Sequence, residues 1–342
     1  MKFLLTADLH LAAPLNTHLS PEKSAMRDRE LTEAFRRLCE DGIRRGARAV
    51  LIAGDLFDGE NVPARTREAV FAVLRDKGEI PFFYIPGNHD RHWLIGENMP
   101  RNLYIFGDGW SSYTLGEVTI FGRADIENLT FSDLYPVPSR KNIVLLHGAW
   151  NKEIPLTEAA GRSIDLLALG HYHTYATQVI DGRGVAVYPG TPEGRGFDET
   201  GEKGYALYDT ESSDVTFIPC MRRCIHDIPV DITGITTGAQ IPALVHAATA
   251  NIPADDLLRV RLTGRVAPGI ERDLRGLEAR FSDRFFLFLA EDESELLLRP
   301  EDYIYDRTLR GEFIRQVMAS DLDEREKHAI MDCGLSALAG GN

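Results

Sequence analysis

The sequence predicts an α/β domain whose sheet is closed by a second sheet, and three observations carry that expectation. Short apolar runs recur through the first half of the chain, each ending abruptly in Asp, His, Asn or Gly. Helical patterns separate the first of these runs. After residue 178 the pattern changes to paired strands joined by turn residues.

The first run, residues 3–7, is followed by a stretch over 22–45 with Ala25, Leu31, Ala34, Phe35, Leu38 and Ile43 at helical spacing. Residues 49–53 form the second run, and Val70, Phe71 and Leu74 place a helix over 65–77. Runs at 82–85, 143–146 and 166–169 complete the set. Four or five apolar residues without alternation are expected of strands covered on both faces. Strand, helix, strand in succession implies an α/β sheet. Two hairpins are then expected: 178–180 with 185–188 across Asp181-Gly182, and 205–208 with 215–218 across 211–214. They supply the second sheet.

Beyond Cys224 the polar clusters stop. Residues 228–232, 257–262 and 285–289 read as strands and 239–250 and 269–281 as helices, a small β-α-β-α-β unit. In the tail, Leu309, Phe313, Ile314, Val317 and Met318 share one helical face, and Ile330, Leu335 and Leu338 mark a second short helix. The expected domains are therefore 1–224, 225–300 and a helical tail over 301–342. The apolar stripe of the tail either packs on its own unit or docks on a partner.

The 342 residues carry 38 Lys+Arg against 52 Asp+Glu, a formal net charge of −14. Such a balance excludes a protein that coats nucleic acid by bulk electrostatics, so a polyanionic substrate needs local help from metal ions or an arginine cluster. Cys39, Cys220, Cys224 and Cys333 are too few and scattered for a secreted disulfide framework. The Cys220/Cys224 pair lacks a second Cys/His pair at zinc-finger spacing. With no signal-peptide pattern and no run of ~20 uncharged apolar residues, a cytoplasmic, non-membrane location is expected.

In α/β sheets ligands bind beyond the carboxyl ends of the strands, where the polar clusters fall. They are Asp8-Leu9-His10, Gly54-Asp55-Leu56-Phe57-Asp58, Gly87-Asn88-His89-Asp90, Leu146-His147-Gly148 and Gly170-His171-Tyr172-His173. Asp8, His10, Asp55, Asn88, His147, His171 and His173 are good ligands for a dinuclear site. Their nitrogen and oxygen donors suit Mn2+, Fe2+, Zn2+ or Co2+ and exclude a soft thiolate site. Within Asp-Leu-His and His-Tyr-His the outer residues lie on one side of an extended segment, so both reach one centre.

In this order D-x-H, G-D-x-x-D, G-N-H-D, an isolated His and G-H-x-H resemble the calcineurin-like metallophosphoesterases over about residues 1–220. The resemblance implies an α/β/β/α sandwich of two sheets. It implies two divalent metals, Mn2+ first among them, bridged by Asp55: Asp8, His10 and His173 hold one, and Asn88, His147 and His171 the other. A hydroxide activated by both metals would attack phosphorus, since divalent metals lower the pKa of bound water. His89 would face the leaving oxygen, with Asp58 orienting it.

Residues 188–197 and 198–204, together with 54–63, resemble the SbcD-type and Mre-type DNA repair nucleases. That resemblance implies a DNA exonuclease or endonuclease subunit, with Arg195 a substrate contact and residues 225–300 a capping domain. It also implies an SbcC-like ATPase partner gripped by the C-terminal helices, and admits a homodimer. Asp58 stands where archaeal Mre-type enzymes have His, so their exonuclease preferences do not transfer. Two further readings stand: a phosphodiesterase of small nucleotides or phosphorylated metabolites, for which an acidic chain is no handicap, and a non-catalytic docking subunit on the same fold.

Overall fold

The structure is a computed structural model describing residues 1–13, 19–59, 61–91, 99–267, 270–297, 303 and 305–339. The chain divides into two compact units, Met1–Ile225 and His226–Asn342.

The first unit is a pair of six-stranded sheets. β1 (Lys2–Thr6), β2 (Ala47–Ala53), β3 (Phe82–Ile85) and β4 (Leu103–Ile105) run parallel, and the hairpin of β11 (Gly204–Asp209) and β12 (Val215–Pro219) adds antiparallel to β1. The second sheet has the order β5 (Ser111–Leu115), β6 (Val118–Gly122), β7 (Lys141–His147), β8 (Leu166–Gly170), β10 (Val185–Tyr188), β9 (Ala176–Val179), with the one-turn helix α3 (Leu156–Ala159) between β7 and β8 in the chain. The expected second sheet is thus present but differently composed. The two hairpins do not pair with each other; each extends a different sheet, and β7 and β8 form the centre of the second rather than continuing the first.

Burial on both faces explains the unbroken apolar runs. Phe3 and Leu5 of β1, with Leu51 and Phe83, meet Ile143, Leu145, Leu167 and Leu169 between the sheets. Leu4, Val50, Ile52 and Tyr84 point the other way, onto Phe35 and Leu38 of α1 (Pro21–Arg44) and Val70, Phe71 and Leu74 of α2 (Ala64–Asp76). Each such side chain contributes about 1.5–3 kcal/mol on burial. α1 starts where Ser20 accepts from the Lys23 backbone N–H and Pro21 supplies a helical φ.

In the second unit β13 (Ile225–Asp231, its first residue still in the first unit), β14 (Leu257–Thr263) and β16 (Leu287–Asp292) form a three-stranded sheet with β14 and β16 parallel. α4 (Ile241–Ala248) and α5 (Leu274–Phe281) cover it through Val245, Leu277 and Phe281. A second, short pairing joins β15 (Arg265–Val266) to β17 (Glu295–Leu296).

The tail forms α6 (Leu309–Met318) and α7 (Glu324–Ala339). Ile314 and Val317 are buried against Met331 and Leu335, with Phe313 packed on the same cluster. Of the two readings of the stripe, packing within the unit is the one realised for these residues. Leu309, Met318, Leu322 and Ile330 stay exposed. Among the described residues no helix is long and apolar enough to cross a membrane. The four cysteines form no disulfide.

Candidate metal centre

All seven predicted ligands gather at the carboxyl ends of β1, β2, β3, β7 and β8. Asp8 and His10 follow β1, Asp55 follows β2 after one glycine, Asn88 follows β3, His147 closes β7, and His171 and His173 follow β8. The turns that aim them leave ordinary backbone space. Asp8, His10, Asp55 and His171 have φ of 52°, 43°, 49° and 112°. Non-glycine residues there cost about 1–3 kcal/mol each and cluster at functional sites. Close approach is needed too: a Cβ on Gly87 would lie 2.1 Å from Asp55 Oδ1, and one on Gly170 1.8 Å from the Ala53 carbonyl oxygen.

Asp55 sits at the middle. Its Oδ2 is 3.6 Å from His10 Nε2 and 3.3 Å from His147 Nε2, while Oδ1 accepts the His89 backbone N–H at 3.0 Å. Asp8, His10 and His173 bring ligand atoms within 4.8 Å of one another, as do Asp8, Asp55 and His147. Asn88 Oδ1 lies 2.9 Å from His147 Nε2. The His171 ring stands edge-on to His147, 5.7 Å between centroids. Its backbone N–H donates to Asp8 at 3.0 Å.

The protonation pattern follows from crowding acids and imidazoles in a buried place. Burial pushes Asp8 up to about 6 and His10 down to about 4. Burial also opposes charge on Asp55 and His147, but their mutual contact wins, taking Asp55 to about 2 and His147 to about 9.

Three features fit this donor set to divalent cations. His10 Nε2 is buried and makes no hydrogen bond. His147 Nδ1–H donates to the Ala53 carbonyl at 2.9 Å and His173 Nδ1–H to Glu199 at 2.6 Å, which points both Nε2 atoms at the centre. The donors themselves are imidazole nitrogens and carboxylate or amide oxygens, the set suited to two borderline divalent metals.

The remaining predicted residues fall at the edge. His89 is half exposed, with Nδ1 3.0 Å from Asp58 Oδ1, and the same oxygen is 3.3 Å from His10 Nδ1. Arg195, expected to meet substrate, directs its guanidinium instead onto Glu199, 2.6 Å from Nη2 to Oε1. Two contributors escaped the sequence reading. Buried Asp90 accepts the backbone N–H groups of Leu56, Phe57 and Gly87, tying the Asp55 turn to the Asn88 turn. Glu199 braces His173. Asp90 lies inside the G-N-H-D cluster and Glu199 inside the 198–204 segment, yet nothing in their spacing separates a brace from a surface acid.

Residues 1–200 match the calcineurin-like phosphoesterases. The chain belongs to that family. As a metallophosphoesterase it is a hydrolase by family, and the family holds two divalent metals, for which Asp8, His10, Asp55, His147 and His173 offer the candidate carboxylate and imidazole sites. It is 32% identical over 247 residues to the uncharacterized metallophosphoesterase YhaO of Bacillus subtilis, covering 64% of this chain and 59% of that one. It is 27% identical to the DNA double-strand break repair protein Mre11 of Sulfurisphaera tokodaii, covering 60% and 59%. The protein of that name from Haloferax volcanii is 26% identical over 98% of this phosphoesterase and 74% of the relative. The chain therefore spans about three-fifths of the length of the first two.

Proposed function

We propose that this phosphoesterase is a nuclease subunit hydrolysing phosphodiester bonds of DNA with two divalent metals, Mn2+ in the first place. The observation that carries the reading is the Asp55 carboxylate oxygen held between a nitrogen of His10 and a nitrogen of His147, which suits a ligand shared by two cations. Likeness to proteins named Mre11 supports DNA as the substrate.

In this reading Asp8, His10, Asp55 and His173 hold one cation and Asp55, Asn88, His147 and His171 the other. Bound there, the pair would activate water and neutralise nonbridging phosphate oxygens. The chain's own residues do the rest. Asp58 accepts Nδ1–H of His89 and so steadies the imidazolium form, whose Nε2–H would pass to the leaving oxygen. Asp90 keeps the His89 turn in register with Asp55. A cavity of about 320 Å³ beside Asn88, His147 and His171, lined also by Pro86, Ala124, Ile126, Arg91 and Glu153, gives room for one group of the substrate. Arg195 moves from substrate contact to support.

In the proposed capping unit, 225–300, four arginines pair with acids of the same unit. Arg259 and Arg261 both pair with Asp227, Arg265 with Glu295 and Arg272 with Asp292, so these cations are already matched. Most of the affinity for DNA then comes from a partner, for which an SbcC-like ATPase meeting exposed Leu309, Met318, Leu322 and Ile330 is the proposal. The same matched arginines favour the second reading, a small phosphodiester substrate.

Purified chain with Mn2+ is expected to hydrolyse bis-p-nitrophenyl phosphate and to degrade single-stranded DNA faster than it opens cyclic nucleotides. Activity on cyclic nucleotides alone would hand the site to the second reading, and no metal-dependent hydrolysis of any diester would end both.

A further inference from the structure

Two of the imidazoles at the centre, His147 and His173, are braced differently. His147 Nδ1–H donates to a neutral carbonyl, that of Ala53. His173 Nδ1–H donates to a carboxylate, Glu199, which is 5% exposed. Glu199 is held on all sides. Its Oε1 also accepts Arg195 Nη2 at 2.6 Å, its Oε2 accepts the Arg195 backbone N–H at 2.7 Å, and its own N–H donates to the Gly196 carbonyl at 2.9 Å. Oε1 accepts from the Arg195 guanidinium as well, and a carboxylate in an arginine pair only accepts, so the proton between Glu199 and His173 is placed on His173 Nδ1, and the 3.3 Å approach of Arg195 Nη2 to that nitrogen is a contact between two donors.

The segment carrying Glu199 is itself anchored. Glu193, 2% exposed, takes Arg27 Nη2 at 2.9 Å, Arg37 and the Arg222 backbone N–H, and Arg27 also reaches the Gly194 carbonyl at 2.8 Å. From the far end Lys203 Nζ donates to the His173 carbonyl at 3.1 Å. Both the ring and the backbone of His173 are therefore fixed from the 189–204 segment, and that segment is fixed to α1.

We infer that Glu199 is a positioning residue that makes the His173 half of the centre the tighter of the two cation sites. The inference rests on the proposed metal centre. A carboxylate behind an imidazole sets its tautomer and raises the basicity of the opposite nitrogen, whereas a carbonyl mainly sets the tautomer; losing such a partner typically costs about 10–100-fold in metal affinity. The asymmetry between Ala53 O and Glu199 should therefore appear as unequal binding of two chemically identical ions.

The test is calorimetric titration of the metal-free full chain with Mn2+ at fixed pH, without substrate. Wild type should bind two ions in separable steps. Glu199→Gln keeps the size and one acceptor oxygen and, with its fold checked by circular dichroism, should weaken the tighter step about tenfold while leaving the looser step within about twofold. Glu199→Ala should weaken that same step towards about a hundredfold, and His173→Ala should remove it. A folded Gln variant with both steps unchanged, or with both weakened alike, overturns the inference and leaves the metal centre intact. A wild-type chain that binds no Mn2+ overturns the metal centre and the inference together.

Discussion

Asp90→Asn should destabilise the first unit by far more than a one-atom change suggests. Oδ2 of Asp90 accepts the N–H groups of Leu56 at 2.7 Å and Phe57 at 3.2 Å, and Oδ1 accepts that of Gly87 at 2.7 Å. An amide has one acceptor oxygen. In its better orientation that oxygen serves Leu56 and Phe57 while the NH2 group confronts Gly87 N–H, donor against donor, with the side chain fully buried. Losing a hydrogen bond to a charged acceptor costs about 1.5–3 kcal/mol and an unmatched buried N–H about 1–3, which are overlapping measures of one defect, so about 3 kcal/mol is expected. For a unit of this size that is a fall in Tm of about 6–12 °C. Burial raises the Asp90 pKa above its ordinary value, so differential scanning calorimetry is run on the alkaline side, at pH 8, with a chelator to keep the chain metal-free. A Tm within about 2 °C of wild type would refute the brace.

His89→Ala should keep metal affinity and lose roughly 10²–10⁴ in rate on a diester, while His171→Ala should lose a metal; Mn2+ titration beside kinetics separates them. Val317→Asp buries a charge between α6 and α7 and should melt that pair, whereas exposed Leu309→Asp should leave the circular dichroism unchanged. Asp165 accepts Arg183, Lys141 and the Asn142 N–H, and although burial raises its pKa these partners pull it below the ordinary 3.8. Its contribution is therefore present above about 3.8 and lost as pH falls through the lower folded value, so the Tm gap between wild type and Asp165→Asn should narrow from pH 6 to pH 2.5.

The five apolar runs were legible because strands β1, β2, β3, β7 and β8 are covered on both faces, and no polar alternation blurs them. β5 was not. Its residues Ser-Ser-Tyr-Thr-Leu are partly or fully exposed at a sheet edge, so no continuous apolar signal marks them. β4, three residues long, is too short to carry a period. Which sheet a strand joins was also hidden, since the apolar character of β7 is the same whether its neighbour is β3 or β8. At the site, the ligands were readable because residue type and strand-end position coincide. The braces were not, because Glu199 and Asp90 act through partners supplied by the fold: the His173 ring in one case, three backbone N–H groups in the other.

The candidate ligands come from both sheets: β1, β2 and β3 end in the first, β7 and β8 in the second. Between the sheets the contact is mainly apolar and non-directional, with directional ties such as Tyr113 Oη to the Ile105 carbonyl and Lys141 Nζ to Ser213 lying away from the ligands. Beyond the ligands' own hydrogen bonds, a shear of one layer over the other therefore meets little specific resistance at the ligand edge. Cations gripped from both layers at one edge would act as rivets against that shear. At a thousandfold excess over Kd, each ion that binds only the folded chain adds about 4.1 kcal/mol. Chelation should therefore loosen the molecule along the seam between its layers, and amide exchange in β2 and β7 would rise before exchange in the helices flanking them.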